Sequence, residues 1–446
     1  MQWLRKASAI IAATSAATLL AACGGGSSSA GGGTLTVFLG AQPNFPTQFA
    51  AWSKDLTDKF KAKTGADLVI ETYANAGDET TKIQSSIVSG TGPDIYNLGT
   101  TFTPVAYGTG GFQQLSDDDW KKIGGRERFI PESLGISGPD QTKQIGIPAA
   151  MRPFSLAYNT DMFKAAGIAA PPKTWDEFTA DAKKLSNPGA GVYGTTMDYS
   201  DPYDPWKFIW AMTEQQGGSF VSADLKTAQL NSPEVQNATT AYFDMLVKDK
   251  LADPASVGWK GGDAIVAFGA GKAAMLPMAT AQSVPTLDKS AVKGKYAFAP
   301  LPTVAPGQSQ RPANGKPAAS IVSGDNIAIA SYTKDKDLAL AFIDLFTSTD
   351  EQLANYKAFG NLPVNQDAMK QLSAQNTLLA PFLQIESQST PTAFTGGWAD
   401  VQNGVQNVVV QSQPGLAEGT YDVTTVKGLL DKANAAAQSA LTRAQK

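Results

Sequence analysis

No histidine occurs in this 446-residue chain, and cysteine occurs once, at Cys23. The first absence removes the Ser-His-Asp triad, the HExxH zinc site and the imidazole general base. The second removes any internal disulfide. An enzyme on this chain would work with carboxylates, Lys, Tyr or Ser alone. Glycosidases manage with two carboxylates, so glycoside hydrolysis stays open. An excess of positive charge is also missing: 36 Lys and Arg stand against 40 Asp and Glu, a net charge of −4. The chain therefore has no electrostatic footprint for nucleic acid and no long basic run for a membrane surface. No repeat appears at solenoid periods. Past the N-terminus, no apolar run reaches the roughly 20 residues that span a bilayer.

What is present begins with Arg5 and Lys6, followed by small and apolar residues from Ala7 to Ala22. This is the n-region and h-region of a secretory signal. Leu20-Ala21-Ala22-Cys23 resembles the bacterial lipobox, in which the chain is cut before the cysteine and the thiol carries lipid. A lone thiol in an oxidising compartment is in conflict with its surroundings, and lipid on Cys23 resolves that conflict. With Cys23 capped, neither a thiolate metal site nor a cysteine nucleophile remains. The alternative is an ordinary signal peptide with an incidental cysteine. Gly24 to Gly33 contains only Gly, Ser and Ala. It reads as a flexible tether reaching about 16–19 Å as a random coil.

The mature chain, about 420 residues, is long enough for a large core and two or three domains' worth of structure. Two motifs fail on inspection. Phe268-Gly269-Ala270-Gly271-Lys272-Ala273 lacks the first Gly and the final Ser or Thr of a phosphate loop. Asp198, Asp201 and Asp204 recur every third residue, without the alternate spacing and distal Glu of a calcium loop. With Pro202 and Pro205 beside them they read as turn formers. Asp117-Asp118-Asp119 reads as a solvated helix start.

Along the chain, Thr34 to Leu39 reads as the first strand. Phe49, Trp52, Leu56 and Phe60 then recur at helical spacing, and Gly65 ends that helix. Asp67 to Tyr73 predicts a strand, Thr80 to Val88 a helix, and Pro93 to Tyr96 a third strand. This alternation predicts a parallel sheet with crossover helices. Thr174 and Glu177 form a capping box. Asn326 to Ala330 predicts a strand, and Leu338, Ala341, Phe342, Leu345 and Phe346 an amphipathic helix. Val423 to Ala444 predicts the last helix. Pro300 to Pro317 reads as a surface loop or a segment between lobes.

Four segments in order resemble the extracellular solute-binding proteins of bacterial ABC importers, in the class of maltose-binding protein. They are Gly90 to Ile95, Ala157 through Phe178, Phe268 to Met275, and Lys336 to Ser348. The resemblance implies an α/β protein of the two-lobe periplasmic-binding-protein fold, with a three-crossing hinge and discontinuous lobes. Mapped onto this chain, 1–22 is signal peptide and 23–33 lipidated cysteine and tether. Lobe one is 34–150 and 301–347; lobe two is 151–300 and 348–446. The crossings fall near Pro148 to Met151, Pro300 and Ser348.

Sugar recognition needs aromatic planes for the C–H faces of pyranose rings and polar side chains for the hydroxyl rims. Asp201-Pro202-Tyr203-Asp204-Pro205-Trp206 supplies both, and resembles the acidic-Pro-Tyr-x-x-Trp segment of the maltose-type proteins. The resemblance assigns Asp201 as hydroxyl partner and Tyr203 and Trp206 as stacking residues. The alternative for Trp206, and more so for Trp210, is a helix-face core position. Trp398, after Gly396-Gly397, falls where the family presents an aromatic. Arg152 falls at the first crossing, as a ligand contact or a structural salt bridge. Gln42 and Asn44 follow the first strand at its carboxyl end, where open α/β sheets bind ligands. Trp259 is a further candidate, while Trp52 and Trp175 are assigned to packing. The chain departs from the maltose-type pattern after Ile95, where Leu98, Thr100, Thr101 and Phe102 replace an aromatic and charged residues. Thr100 and Thr101 remain as hydrogen-bonding candidates.

The expectation is a monomeric substrate-binding lipoprotein, held outside the membrane by lipid on Cys23. It closes on a sugar or oligosaccharide and delivers it to an ABC permease, with no cofactor, metal or catalytic residue. A polyol or glycerophosphodiester is the alternative solute. A tethered glycoside hydrolase and a surface receptor for a protein partner are the other readings.

Overall fold

The computed structural model describes residues 33–43, 45–73 and 76–445. The signal segment, Cys23 and its tether, and Asn44 lie outside the described residues. Two sheets organise the rest. The first has five strands, in the spatial order Asp67–Tyr73, Thr34–Gly40, Ile95–Gly99, Gly324–Ile329, Ile147–Met151. The first three are parallel, with Val37 opposite both Ile70 and Ile95. The helices Pro46–Thr64 and Ala76–Ser89 make the crossovers. Gly324–Ile329 runs antiparallel between its neighbours. Thr34–Gly40 is buried on both faces. Leu35, Val37 and Leu39 pack on Trp52, Leu56 and Phe60, whereas Phe38 faces Tyr96 and Ile83. That two-sided burial explains the consecutive apolar residues Val37-Phe38-Leu39. Gly65 ends the first helix in the left-handed region (φ 77°), donating its N–H to Lys61 O.

The second sheet has four strands, ordered Tyr193–Thr195, Ala273–Ala279, Ser155–Asn159, Tyr296–Ala299. Ala273–Ala279 is buried along its whole length. The helices Trp175–Leu185, Asp204–Gln215, Pro233–Val247, Trp398–Ala417 and Val423–Ala444 surround this half, and their aromatic residues fill its core. The capping box at Thr174 is present: Thr174 Oγ1 accepts from Glu177 N at 3.0 Å, and Glu177 Oε2 accepts from Thr174 N at 3.2 Å.

Three chain segments cross between the halves side by side. Arg152 N donates to Ser323 O (2.8 Å), Phe154 N to Ser320 Oγ (3.0 Å) and Val322 N to Thr390 O (3.1 Å). Ser320–Ile321 also pairs with Ser389–Thr390. A Cβ on Gly324 (φ 151°) would collide with the Ala150 carbonyl, so only glycine fits where the second crossing enters the first sheet. Two of the expected crossings lie elsewhere. Residues 302–318 stay with the second half, where Gln215 Nε2 donates to Pro302 O and Ala318 O, both at 2.9 Å. The helix Thr349–Phe359, expected in lobe two, packs on the first half. Trp52 Nε1 donates to Glu351 Oε1 at 2.6 Å, and the Trp52 and Phe359 rings meet at 5.3 Å. The helix Ala380–Ser387 touches the second sheet, with Phe382 4.9 Å from Phe298. Amphipathic spacing marks a buried face but not which sheet that face covers.

Candidate ligand-binding site

Strand ends and loops from both halves face each other across a cleft. On the first side a cavity of about 300 Å³ is lined by Gln42, Tyr73, Asn97, Arg152, Asp325 and Asn361, among others. Gln42 and Tyr73 lie at or just past the carboxyl ends of parallel strands, where helix N-termini and free backbone groups also gather. Arg152 grips Asp325 bidentately, at 2.6 and 2.8 Å, and donates to Asn361 Oδ1 at 3.2 Å. Gln282, from the second half, reaches the same Asn361 oxygen at 2.9 Å. Asn97 Nδ2 donates to the Tyr73 hydroxyl at 3.1 Å. Burial, reinforced by the charges of Glu79 and Asp325, pushes the Tyr73 phenol upward.

On the second side a cavity of about 290 Å³, sharing Arg152 and Gln282 with the first, is lined by Asp198, Asp201, Tyr203, Asp204 and Lys207. The turn before helix Asp204–Gln215 is built by Asp201. Its Oδ1 accepts from Tyr203 N (2.9 Å) and Asp204 N (3.2 Å), and its Oδ2 from Gly261 N (3.1 Å). Those bonds hold Tyr203 outward, 47 % exposed. The turn-forming role expected of these aspartates is thus realised at Asp201. Lys207 Nζ lies 3.2 Å from Asp204 and 4.2 Å from the centre of the Phe154 ring. Burial raises Asp198 well above the usual carboxylate range, with Asp204 and Asp201 adding repulsion. Burial also raises Asp204, and the two carboxyl groups hydrogen-bond each other. Met278, on the same wall, has φ 57°, a strained setting for a non-glycine residue of the kind that gathers at functional sites. A third cavity of about 850 Å³, between Phe45 and Val266, opens from the cleft past Gln42 and Gln282.

The family model for bacterial extracellular solute-binding proteins matches residues 42–353, well over half of the chain. The chain belongs to that family. Among the relatives of this solute-binding protein is the diacetylchitobiose binding protein DasA of Streptomyces coelicolor. It is 27% identical over 83% of this chain and 82% of its own length. Two solved structures share the two-lobe fold. One is an ABC transporter solute binding protein of Thermotoga lettingae bound with α-D-tagatose (TM-score 0.73, 20% identity, 92% of this chain and 99% of that one). The other is an ABC transporter solute binding protein of Agrobacterium radiobacter in complex with ribitol (TM-score 0.72, 24% identity, 91% and 98%).

In this solute-binding protein the cleft brings together Gln42, Arg152, Asp201 and Tyr203 of the expected residues. Trp206 and Trp398 do not join them. Each is 1 % exposed, and they pack edge to face at 6.0 Å in the second core, with Phe220 stacked on Trp398. No ring face is left for a ligand, so the stacking role expected of both is corrected to core packing. Thr100 is buried, with its N–H donated to Gly324 O, and Thr101 is half-buried in the following turn. Trp259 is half-buried and its carbonyl accepts from Ser200 N. None of these three lines the cavities described. Sequence reasoning missed Tyr73, Asn97, Gln282 and Asp325. Tyr73 ends a strand that the sequence does mark and Asn97 lies within another; Asp325 is placed by strand register, and Gln282 by the short helix Ala281–Ser283 that follows Ala273–Ala279.

Proposed function

We propose that this protein captures a sugar or polyol between its lobes and delivers it to an ABC permease in the membrane. The observation that carries the reading is the pairing across the cleft. An exposed Tyr203 ring stands on one wall, and the hydrogen-bonding row of Gln42, Asn97, Arg152 and Asp325 on the other. A flat ring suits the C–H face of a sugar and the row suits its hydroxyl rim. The diacetylchitobiose, tagatose and ribitol of the relatives and neighbours are all polyhydroxy solutes, which supports the same class here.

Binding on this reading is a hinge closure about the crossings at 152–154, 320–323 and 389–391, favoured by contacts that a ligand makes to both walls. The lobes we assign are 33–151 with 324–388, and 155–319 with 392–445. The protein acts without altering its ligand. Asp198 and Asp204 bond each other, whereas the two carboxyl groups of a glycosidase stand about 5–10 Å apart. It works as a monomer outside the cell membrane, held by lipid on Cys23 and the Gly-Ser tether.

Thermal unfolding against sugars and polyols tests the reading. A ligand at about 100 times its dissociation constant adds about 2.7 kcal/mol of stability, seen as a shift of a few degrees. Silence across diacetylchitobiose, maltose, tagatose and ribitol would move the solute out of this class.

A further inference from the structure

Carboxyl groups outnumber cations on the two walls of the cleft, and the cations present are already engaged. Among the described residues lining the two inner cavities, the only cations are Arg152 and Lys207. Arg152 is held by Asp325 and Asn361. Lys207 is held by Asp204 and lies over Phe154. Asp198 and Asp201 are left with no cation of their own. A further acid, Glu79, stands behind Tyr73 and is 6 % exposed. One of its oxygens accepts from Gly99 N, and Oε1 has no partner. Burial and Asp325 together raise Glu79 to about 8, so it holds its proton at neutral pH and adds no charge to the wall.

We propose that the cleft is a charge filter, in which engaged cations on both walls and surplus carboxyl groups on the second reject phosphorylated and carboxylated solutes and admit uncharged or amine-bearing polyhydroxy ones. The inference rests on the sugar or polyol reading and narrows it, removing glycerophosphodiesters from the candidates. An anion entering the cleft must shed water beside like charges, with no free guanidinium or ammonium to receive it. A neutral hydroxyl instead donates to the carboxyl oxygens that line the cavities, those of Asp325 on one wall and of Asp198, Asp201 and Asp204 on the other. An ammonium group supplies the missing positive charge.

The test is calorimetric titration of the protein with matched solutes: ribitol against ribitol 5-phosphate, tagatose against tagatose 6-phosphate, and diacetylchitobiose against its deacetylated diamine. Inorganic phosphate and citrate are titrated alone. In the ribitol and tagatose pairs the uncharged member should bind at least about 100-fold more tightly than its phosphate, the scale of a like-charge clash, and the diamine should bind no more weakly than diacetylchitobiose. Asp201→Asn should narrow that gap by about tenfold. If Asp201→Asn disturbs the turn, Asp325→Asn, which frees the Arg152 guanidinium to receive an anion, should still narrow it. Uncharged and phosphorylated members binding equally would overturn the filter and leave the sugar reading standing. Saturable binding of phosphate or citrate would overturn it even if no sugar bound. If no uncharged or amine-bearing solute bound, the sugar reading would fail, and the proposal with it.

Discussion

Arg152 and Asp325, 173 positions apart in sequence, meet as a bidentate ion pair at 2.6 and 2.8 Å on the floor of the cleft. The pair ties the first crossing to the strand Gly324–Ile329, next to the second crossing. It therefore links hinge geometry to the ligand wall.

Removing one partner exposes this dual role. Arg152→Ala leaves Asp325, with its side chain 18 % exposed, beside no cation. The expected loss is about 1–3 kcal/mol of stability, discounted for partial exposure, together with weakened solute binding. Arg152→Lys should restore part of the stability but little of the binding, because an ammonium cannot form the planar fork. Urea unfolding beside calorimetry reads both. Equal rescue of the two properties would argue against a bidentate requirement.

The two kinds of aromatic residue should separate cleanly. Trp398→Ala opens a cavity in the second core and should cost about 3–5 kcal/mol. Tyr203→Ala, at an exposed position, should change stability by less than about 0.5 kcal/mol yet remove most of the solute-induced thermal shift. A stable Trp398→Ala protein with normal melting would contradict the core assignment.

Glu351 is 1 % exposed and receives the Trp52 indole N–H at 2.6 Å and the Lys59 ammonium at 3.1 Å. Trp52→Phe keeps the ring contact with Phe359 but removes one donor from a buried carboxylate. A loss of about 1–3 kcal/mol is expected. Hydrogen exchange should quicken in Thr349–Phe359 together with Pro46–Thr64, since the two helices share this joint. Exchange confined to either helix alone would count against that coupling.

Stability should fall as pH rises from about 5 to 8. Glu79 moves from 4.5 to about 8 on folding, chiefly by burial, and so does Glu386, beside Glu132. Between those values the folded chain holds protons that the unfolded chain has lost, so raising the pH favours unfolding. Each group contributes a slope of about 1.4 kcal/mol per pH unit within that window. Chemical denaturation at pH 5, 6.5 and 8 should show the decline. Glu79→Gln should remove about half of it, and an unchanged slope would place Glu79 outside this effect.

Cys23 carries a separate expectation. Cys23→Ser should move the protein from the membrane fraction to the medium or periplasm while leaving solute-induced shifts of the folded part unchanged. Retention of the variant in the membrane would rule out lipid on that thiol as the anchor.

Local elements were readable because their causes are local. Gly65 with its left-handed cap, the Thr174–Glu177 box and the helix Val423–Ala444 lie where propensity and period place them. The cleft was readable in part. Gln42 was found from its place after a strand, and Arg152, Asp201 and Tyr203 from resemblance. Trp206 and Trp398 were misjudged because a tryptophan at helical spacing has the same pattern whether it faces a core or a ligand.

The amino-acid sequence by itself determined the order of strands and helices, the chemistry that an absence of histidine excludes, and the family. These depend on residue type and on spacings of a few positions. Only the tertiary structure decided that Thr349–Phe359 covers the first sheet, that 302–318 stays with the second, and that Asp325 meets Arg152. Each is a choice among partners far apart in sequence. Periodicity marks a face as apolar; shape and buried hydrogen bonds, such as that from Trp52 to Glu351, select what covers it.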